Sequence, residues 1–278
     1  MTDDRQARCF DLEFGIDRRG RSFLGAQLVR YPVHVCRGLR VDERDPGLCS
    51  LALQSVSGGL FEGDHVAGSV TAREGASARL TTSASTIVHA MRGGCWARQS
   101  VELRALPGAR LDYLPEPLIL FPGSRLRSDT RVRLADDATV AFCEGFLAHD
   151  PKSGGRGFGT LDARVEVRNG AGRLLARERM LVDGETWGAG QAGVSSRFRV
   201  HGALWILRRG QGPALLDAAR EAIAAVQAHA GASELPNAAG IQVRVLAEDA
   251  VGLRRCLEAV WRRLEPVLDG VEADVAPA

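Results

Sequence analysis

Ser69-Val70-Thr71-Ala72-Arg73-Glu74-Gly75-Ala76-Ser77-Ala78-Arg79-Leu80-Thr81-Thr82, within the segment 58–121, reads as strand, tight turn, strand. Small or apolar residues take every second place on both sides of Glu74-Gly75. The pattern returns at Val101-Glu102-Leu103-Arg104-Ala105, Pro107-Gly108 and Ala109-Arg110-Leu111-Asp112-Tyr113-Leu114, and then Pro115-Glu116-Pro117 leads an apolar run to Phe121. A turn followed by an alanine-led strand recurs at Ala76, Ala109, Ala138 and Ala171, at intervals of 33, 29 and 33 residues. Such regular hairpin-like units suggest strands stacked by an internal repeat, a solenoid-like or layered β body. A plain β-sandwich is the competing reading.

Outward from this segment, Phe10-Asp11-Leu12-Glu13-Phe14 and residues 26–36 read as strands around the turn Asp17-Arg18-Arg19-Gly20, and residues 48–56 as a buried strand. Residues 149–159 form a glycine-rich, mobile loop, residues 161–168 and 173–181 a strand pair about Asn169-Gly170, and residues 184–193 a second glycine-rich loop. Composition then shifts. Leu215, Leu216, Ala219, Ile223 and Val226 put an apolar stripe on a helix from Pro213 to Gly231. Leu253, Leu257, Val260, Trp261, Leu264 and Leu268 do so behind an Asp249 N-cap, with the strand Ile241-Gln242-Val243-Arg244-Val245-Leu246 between the helices. The expectation is a mainly β, α+β chain with two C-terminal helices. It forms one domain over 1–278, with a β body at 1–201 and a helix-strand-helix portion at 202–278.

With 45% hydrophobic residues the chain has ample material for a core, and 36 basic against 34 acidic side chains give a net charge of +2. That balance argues against general attraction to nucleic acid or membrane while leaving room for a local patch. Lys152 is the sole lysine, and arginine in its place follows base composition rather than a selected chemistry. The polar first eight residues lack a secretory pattern, no stretch has the length of a membrane span, and six cysteines carry no Cys-x-x-Cys pair. Together these place the protein in the cytoplasm with reduced thiols.

Catalytic signatures are missing. Gly155-x-Gly157-x-Gly159 precedes a strand where a phosphate loop needs a helix N-terminus, Lys152-Ser153 lacks the glycines of a P-loop, and no Gly-x-Ser-x-Gly elbow occurs. His34 with Cys36, His89 with Cys95, Asp64 with His65, and His149 with Asp150 supply metal-ligand types without the spacing of a closed site. The pairs Asp42-Glu43, Asp136-Asp137 and Glu248-Asp249 are not arranged for acid-base catalysis; the last two fit turn and helix-start positions.

Ser57-Gly58-Gly59-Leu60-Phe61-Glu62-Gly63-Asp64, Glu74-Gly75-Ala76 through Leu80-Thr81-Thr82, Thr86, Leu111-Asp112-Tyr113-Leu114-Pro115-Glu116 through Phe121, and the last strand and helix with Trp261 resemble the urease accessory protein D family, also called UreD or UreH. Val56-Ser57 stands where that family has prolines and Cys143-Glu144 where it has Trp-Glu, the marks of a divergent member or second paralogue. The resemblance implies many stacked strands with two helices and a scaffold rather than an enzyme. It also implies binding of apo-urease and of accessory protein F, which recruits the GTP-hydrolysing carrier G. Nickel in transit would pass weakly bound through an internal polar tunnel, with no tightly bound cofactor. On this basis Asp64, Glu62 and Glu144 are expected along the metal route, and Thr81 and Thr82 at an interface or passage. Two alternatives remain: a β-solenoid lyase or hydrolase acting on an acidic saccharide, with Asp64 or Glu144 moving the proton, and a scaffold for a different metalloenzyme.

Overall fold

Around the corner at Glu74-Gly75 the chain leaves one sheet and enters another. A computed structural model describes residues 8–40, 42 and 45–268; the polar N-terminal expectation for residues 1–7, Glu43 of the Asp42-Glu43 pair, and the end of the 202–278 portion lie outside them. In chain order the strands are β1 (Phe10–Ile16), β2 (Ser22–Val29), β3 (Val33–Val35), β4 (Cys49–Ser55), β5 (His65–Ala72), β6 (Ser77–Thr82), β7 (Ile87–Val88), β8 (Ala97–Ala105) and β9 (Arg110–Leu114). Then follow β10 (Leu118–Leu120), β11 (Arg125–Leu134), β12 (Thr139–Ala148), β13 (Thr160–Asn169), β14 (Leu174–Asp183), β15 (Val200–Arg208), β16 (His229–Glu234) and β17 (Gly240–Ala247). The helices are α1 (Gly184–Gly188), α2 (Gly212–Val226) and α3 (Ala250–Leu268).

Among the described residues a seven-stranded sheet runs β14-β13-β11-β8-β5-β1-β2 and faces a ten-stranded sheet whose main path is β16-β17-β15-β12-β9-β6-β4-β3. Strands β5, β8 and β11 stack parallel in the first sheet, and their successors β6, β9 and β12 stack parallel in the second. The units read from sequence as hairpins are therefore coils of a solenoid, each turn a corner between sheets. Ala72 lies opposite Ala105, and Ala105 opposite Leu134, so the 33- and 29-residue intervals are the lengths of successive coils. Corner amides continue the ladder: Leu106 donates to Ala72 O, Arg110 to Ala76 O and Thr139 to Ala109 O. Ala76, Ala109 and Ala138 are buried where the sheets converge, which leaves room for little more than a methyl group. Gly75 and Gly108 hold φ of 68° and 66°, the left-handed corner conformation that glycine supplies without strain. The fourth turn is different, because β13 and β14 form a true antiparallel hairpin within one sheet and end the coil.

The inner faces enclose one apolar cluster built on Leu12, Phe14, Leu80, Leu103, Leu111 and Trp205. A second, with Leu120, Leu126, Phe146, Phe158 and Trp187, fills the end with the long loops. Helices α2 and α3 cover the outer face of the ten-stranded sheet through a third cluster. Asp249 caps α3 as expected, its Oδ1 accepting from the Gly252 amide at 2.7 Å. Helix α3 comes so close to β15 that a Cβ on Gly202 would sit 2.4 Å from Leu253 Cδ1. Helix α2 stops at Val226, short of Gly231, with Gln227 in the left-handed region, and His229–Glu234 instead form the edge strand β16 paired with β17. A further short helix, α1, lies in the glycine-rich 184–193 segment.

Trp261 does more than extend the apolar stripe of α3. Its ring covers the guanidiniums of Arg79 and Arg110 at 5.5 and 5.6 Å. Both arginines pair with Glu265, at 2.6 and 3.0 Å, and with Asp112, while Arg79 also reaches Asp42. This enclosed charge cluster fixes α3 to β6 and β9. No described helix is long and apolar enough to cross a membrane.

Candidate functional site

Strand alternation sends even-numbered residues of β11, β12 and β14, and odd-numbered residues of β8 and β9, between the sheets. Most are apolar, but where the central cluster meets the loop-end cluster a layer of polar side chains is interspersed among them. In the ten-stranded sheet a row runs Tyr113, Phe142, Trp205, Gln242, and one inward step along come Glu144, Ala203 and Arg244. The facing rows in the other sheet are Gly68, Val101, Thr130, Val165, Glu178 and Val66, Gln99, Ser128, Ala163, Met180.

Glu144 is the centre of this layer. Thr130 Oγ1 donates to its Oε1 at 2.8 Å. Burial pushes the carboxyl up to about 7; the Thr130 hydrogen bond opposes the rise and the charge of Glu178 adds to it. Tyr113 is pushed up to about 12 by burial and then by the charge of Glu144. Glu178 accepts from Gln242 Nε2 at 2.8 Å and from Arg244 Nη2 at 2.6 Å. His201 is held neutral, pushed down to about 4 first by burial and next by the Arg244 charge. His201 Nδ1 and Trp205 Nε1 have no hydrogen-bond partner among the described residues, so this layer keeps unspent hydrogen-bonding capacity.

Both flanks of the layer are open. On one side a cavity of about 440 Å³ is lined by Thr82, Gln99, Val101 and Tyr113, together with Gly58 and Gly59. On the other a groove of about 970 Å³ is lined by Met180, Trp187, His201, Arg244 and Leu246, between the edge strands β14 and β16. Glu144 lines neither opening; it lies in the rows between their linings, with Thr82, Gln99 and Tyr113 on the cavity side and His201 and Arg244 on the groove side.

The expected site residues do not form a single group. Glu144 and Thr82 belong to this interior, and Thr82 Oγ1 also accepts from the Glu116 amide at 2.9 Å. Thr81, one residue earlier on β6, faces the opposite side of its sheet. Glu62 and Asp64 share a surface turn. The Glu62 carboxylate accepts from the amides of Arg92, Gly93 and Cys95 at 2.9 to 3.0 Å, and these bonds, Gly93 first, hold it below the usual carboxylate range. Asp64 Oδ2 accepts from the Phe61 amide at 2.8 Å and closes its own turn. The histidines of the candidate pairs have other neighbours. His34 meets Gln54, His65 meets Ser100, and His89 stacks on Phe61 with ring centroids 4.3 Å apart. Asp150 gathers the amides of Lys152, Gly154 and Arg156, ordering the start of the 149–159 loop. No group of three His, Cys, Asp or Glu side chains is placed to hold a metal ion among the described residues.

Gln99, Tyr113, Thr130, Glu178, His201 and Arg244 are the layer residues that sequence reasoning passed over. The signal was a polar residue on inward parity within an apolar series, as in Val140-x-Phe142-x-Glu144-x-Phe146.

The family model described as UreD urease accessory protein matches residues 7–276. The chain is similar to "Urease accessory protein UreD 1" of Methylorubrum extorquens (strain PA1), 38% identical over 256 residues that cover 91% of this chain and 86% of that protein. It is 36% identical to "Urease accessory protein UreD 3" of Bradyrhizobium sp. (strain ORS 278) over 258 residues, 92% and 90% of the two chains. With "Urease accessory protein UreD 2" of Bradyrhizobium sp. (strain BTAi1 / ATCC BAA-1182) it shares 32% over 275 residues, 96% and 93% of the two.

Proposed function

The chain belongs to the UreD family of urease accessory proteins, and from that premise we propose that it is a non-catalytic scaffold that binds apo-urease with accessory proteins F and G and passes nickel toward the urease site. The observation that carries the passage is the polar layer around Glu144, with a cavity on one flank and a groove on the other. Nickel is cargo here, so its ligands must release it. Isolated carboxylate, hydroxyl and amide oxygens suit that task, whereas a closed thiolate or imidazole cage would retain the ion. Glu144 meets an arriving hydrated cation as the one inward carboxylate not already held by a guanidinium in this layer, since Glu178 is paired to Arg244. With its acidity shifted to about 7, it exchanges a proton for the cation near neutral pH and takes the proton back when the ion leaves. Gln99 and Thr82 supply neutral oxygens on the cavity side, and Thr130 one beside Glu144 itself.

Glu62 and Asp64 fit this scheme as builders of the loop end rather than as ligands, because their carboxylates are already committed to backbone amides. The cytoplasm is the compartment in which such a scaffold would meet its client. The test is complementation of a strain lacking this gene with wild type and with Glu144→Gln. The variant is expected to recover urease and the accessory proteins in a pull-down as wild type does, while the nickel content and activity of urease fall several-fold. Full nickel loading by Glu144→Gln would refute the passage, and failure of the wild type to recover any of these partners would refute the scaffold.

A further inference from the structure

The outer face of the seven-stranded sheet is covered by no described element, since α2 and α3 pack on the other sheet. Across β5, β8, β11, β13 and β14, leaving aside the strand-end residues Arg125 and Asp183, whose charges cancel, this face carries nine arginines, at 98, 104, 127, 131, 133, 164, 168, 177 and 179, against four carboxylates, at 102, 129, 162 and 166. Asp11 and Glu13 on β1, with Arg8 before it, leave an excess of four positive charges. The whole chain sums to only +2, so the remainder is net acidic and the molecule is electrically polarised.

Arrangement matters more than the count. Parallel in-register pairing puts Arg104, Arg133 and Arg168 abreast on three neighbouring strands, about 4.8 Å apart from strand to strand. Like charges directly opposite one another destabilise a sheet. The fold offsets this by sharing acids: Glu102 binds Arg8, Arg104 and Arg133, while Asp162 binds Arg127, Arg164 and Arg179. Each such carboxylate serves three guanidiniums, and Arg98 and Arg131 have no ion pair among the described residues. On the same face a concavity of about 340 Å³ opens among five arginines, Arg8, Arg98, Arg127, Arg131 and Arg164, against two acids, Glu102 and Asp129.

We propose that this arginine face docks an acidic protein surface, whose carboxylates seat on the Arg104, Arg133 and Arg168 row and in the concavity. Guanidiniums with donors left over after sharing one acid are disposed for bidentate bonds to further carboxylates. A nucleic-acid duplex fits less well, because its evenly spaced phosphates would meet the four carboxylates fixed within the array, whereas a protein surface can set its own acids between them. The inference rests on the reading of the chain as a scaffold for protein partners.

The experiment compares wild type with the triple variant Arg104→Gln, Arg133→Gln, Arg168→Gln. Purified apo-urease, the purified accessory proteins and a duplex DNA are the probes, each titrated between about 0.05 and 0.3 M salt. The variant loses the Arg104–Glu102, Arg133–Glu102 and Arg168–Glu166 pairs together with the repulsion, so its melting temperature is read in the same samples to show that it is folded, and where it is not, the double variant Arg98→Gln, Arg131→Gln, which breaks no ion pair among the described residues, is titrated in its place. The expected result is binding of wild type to at least one protein probe, weakened roughly ten- to a hundredfold in the variant with a shallower salt dependence. Unchanged affinity and salt dependence for a bound protein probe would overturn the docking face and leave the scaffold reading intact. Wild type binding no protein probe would overturn both, and tight DNA binding lost in the variant would overturn the acidic-protein partner in favour of nucleic acid.

Discussion

Replacing Glu144 by Gln keeps the shape of the side chain and an oxygen to accept from Thr130, and removes only the ability to ionise. The folded protein raises this carboxyl from 4.5 to about 7, so between those values the folded state holds a proton that the unfolded state has lost. Stability attached to the proton is therefore fully present below about 4.5 and is lost as pH rises through about 7. Each tenfold change in acidity corresponds to about 1.4 kcal/mol, which makes the full penalty about 3 kcal/mol above neutrality. Partial solvent access screens some of it and leaves about 1–3 kcal/mol. Thermal unfolding of wild type and Glu144→Gln should give the same midpoint near pH 4.5. At pH 8 the variant should melt roughly 2–6 °C higher. A gain of equal size at both pH values would mean the effect is packing rather than ionisation, and a loss at pH 8 would mean the carboxylate is stabilised by a partner other than Thr130. Greater stability together with poorer urease activation would identify Glu144 as a residue kept for function at the expense of the fold.

Glu265→Gln should remove about 3 kcal/mol by leaving Arg79 and Arg110 short of an enclosed counter-charge, measured by urea denaturation, and a loss below about 1 kcal/mol would show that Asp112 and Asp42 suffice. Gly202→Val should push Leu253 and α3 off β15 at a penalty of about 1–3 kcal/mol, read as faster amide exchange along α3, and unchanged exchange there would refute the close approach.

The alternation of residues 69–82 and 101–114 contains nearly the whole β body, yet its turns look alike whether they close a hairpin or a corner. The difference lies in pairing to residues about one coil away, seen in Ala72 opposite Ala105, which local patterning does not record. The Asn169-Gly170 turn kept the 33-residue interval while belonging to the hairpin class. At the C-terminus, Ala228, Ala230, Gly231 and Ala232 have no β-branched character, so nothing local marked β16, and only its pairing with β17 defines it. In the site, Glu144 was reached through the family resemblance at Cys143-Glu144 rather than through its apolar neighbours. Its partners were not, because Thr130 and Glu178 come from the opposite sheet and are brought near by stacking rather than by sequence. The period of two also explains why the neighbouring Thr81 and Thr82 cannot share a passage.

One property accounts for both proposed surfaces. Parallel coils stacked in register convert a residue's position along its strand into a row that crosses the whole sheet. On the inward parity of β11, Thr130 falls in the row that ends at Glu178 and faces Glu144, so single polar residues on separate coils line up across the interior. On its outward parity Arg133 falls beside Arg104 and Arg168, and charges that would be scattered on a helix become a ridge. A one-residue slip of β11 would break both rows at once. The apolar residues Val132 and Leu134, fixed between Leu103, Ala105 and Val167 in the central cluster, therefore hold the register on which the passage and the docking face depend.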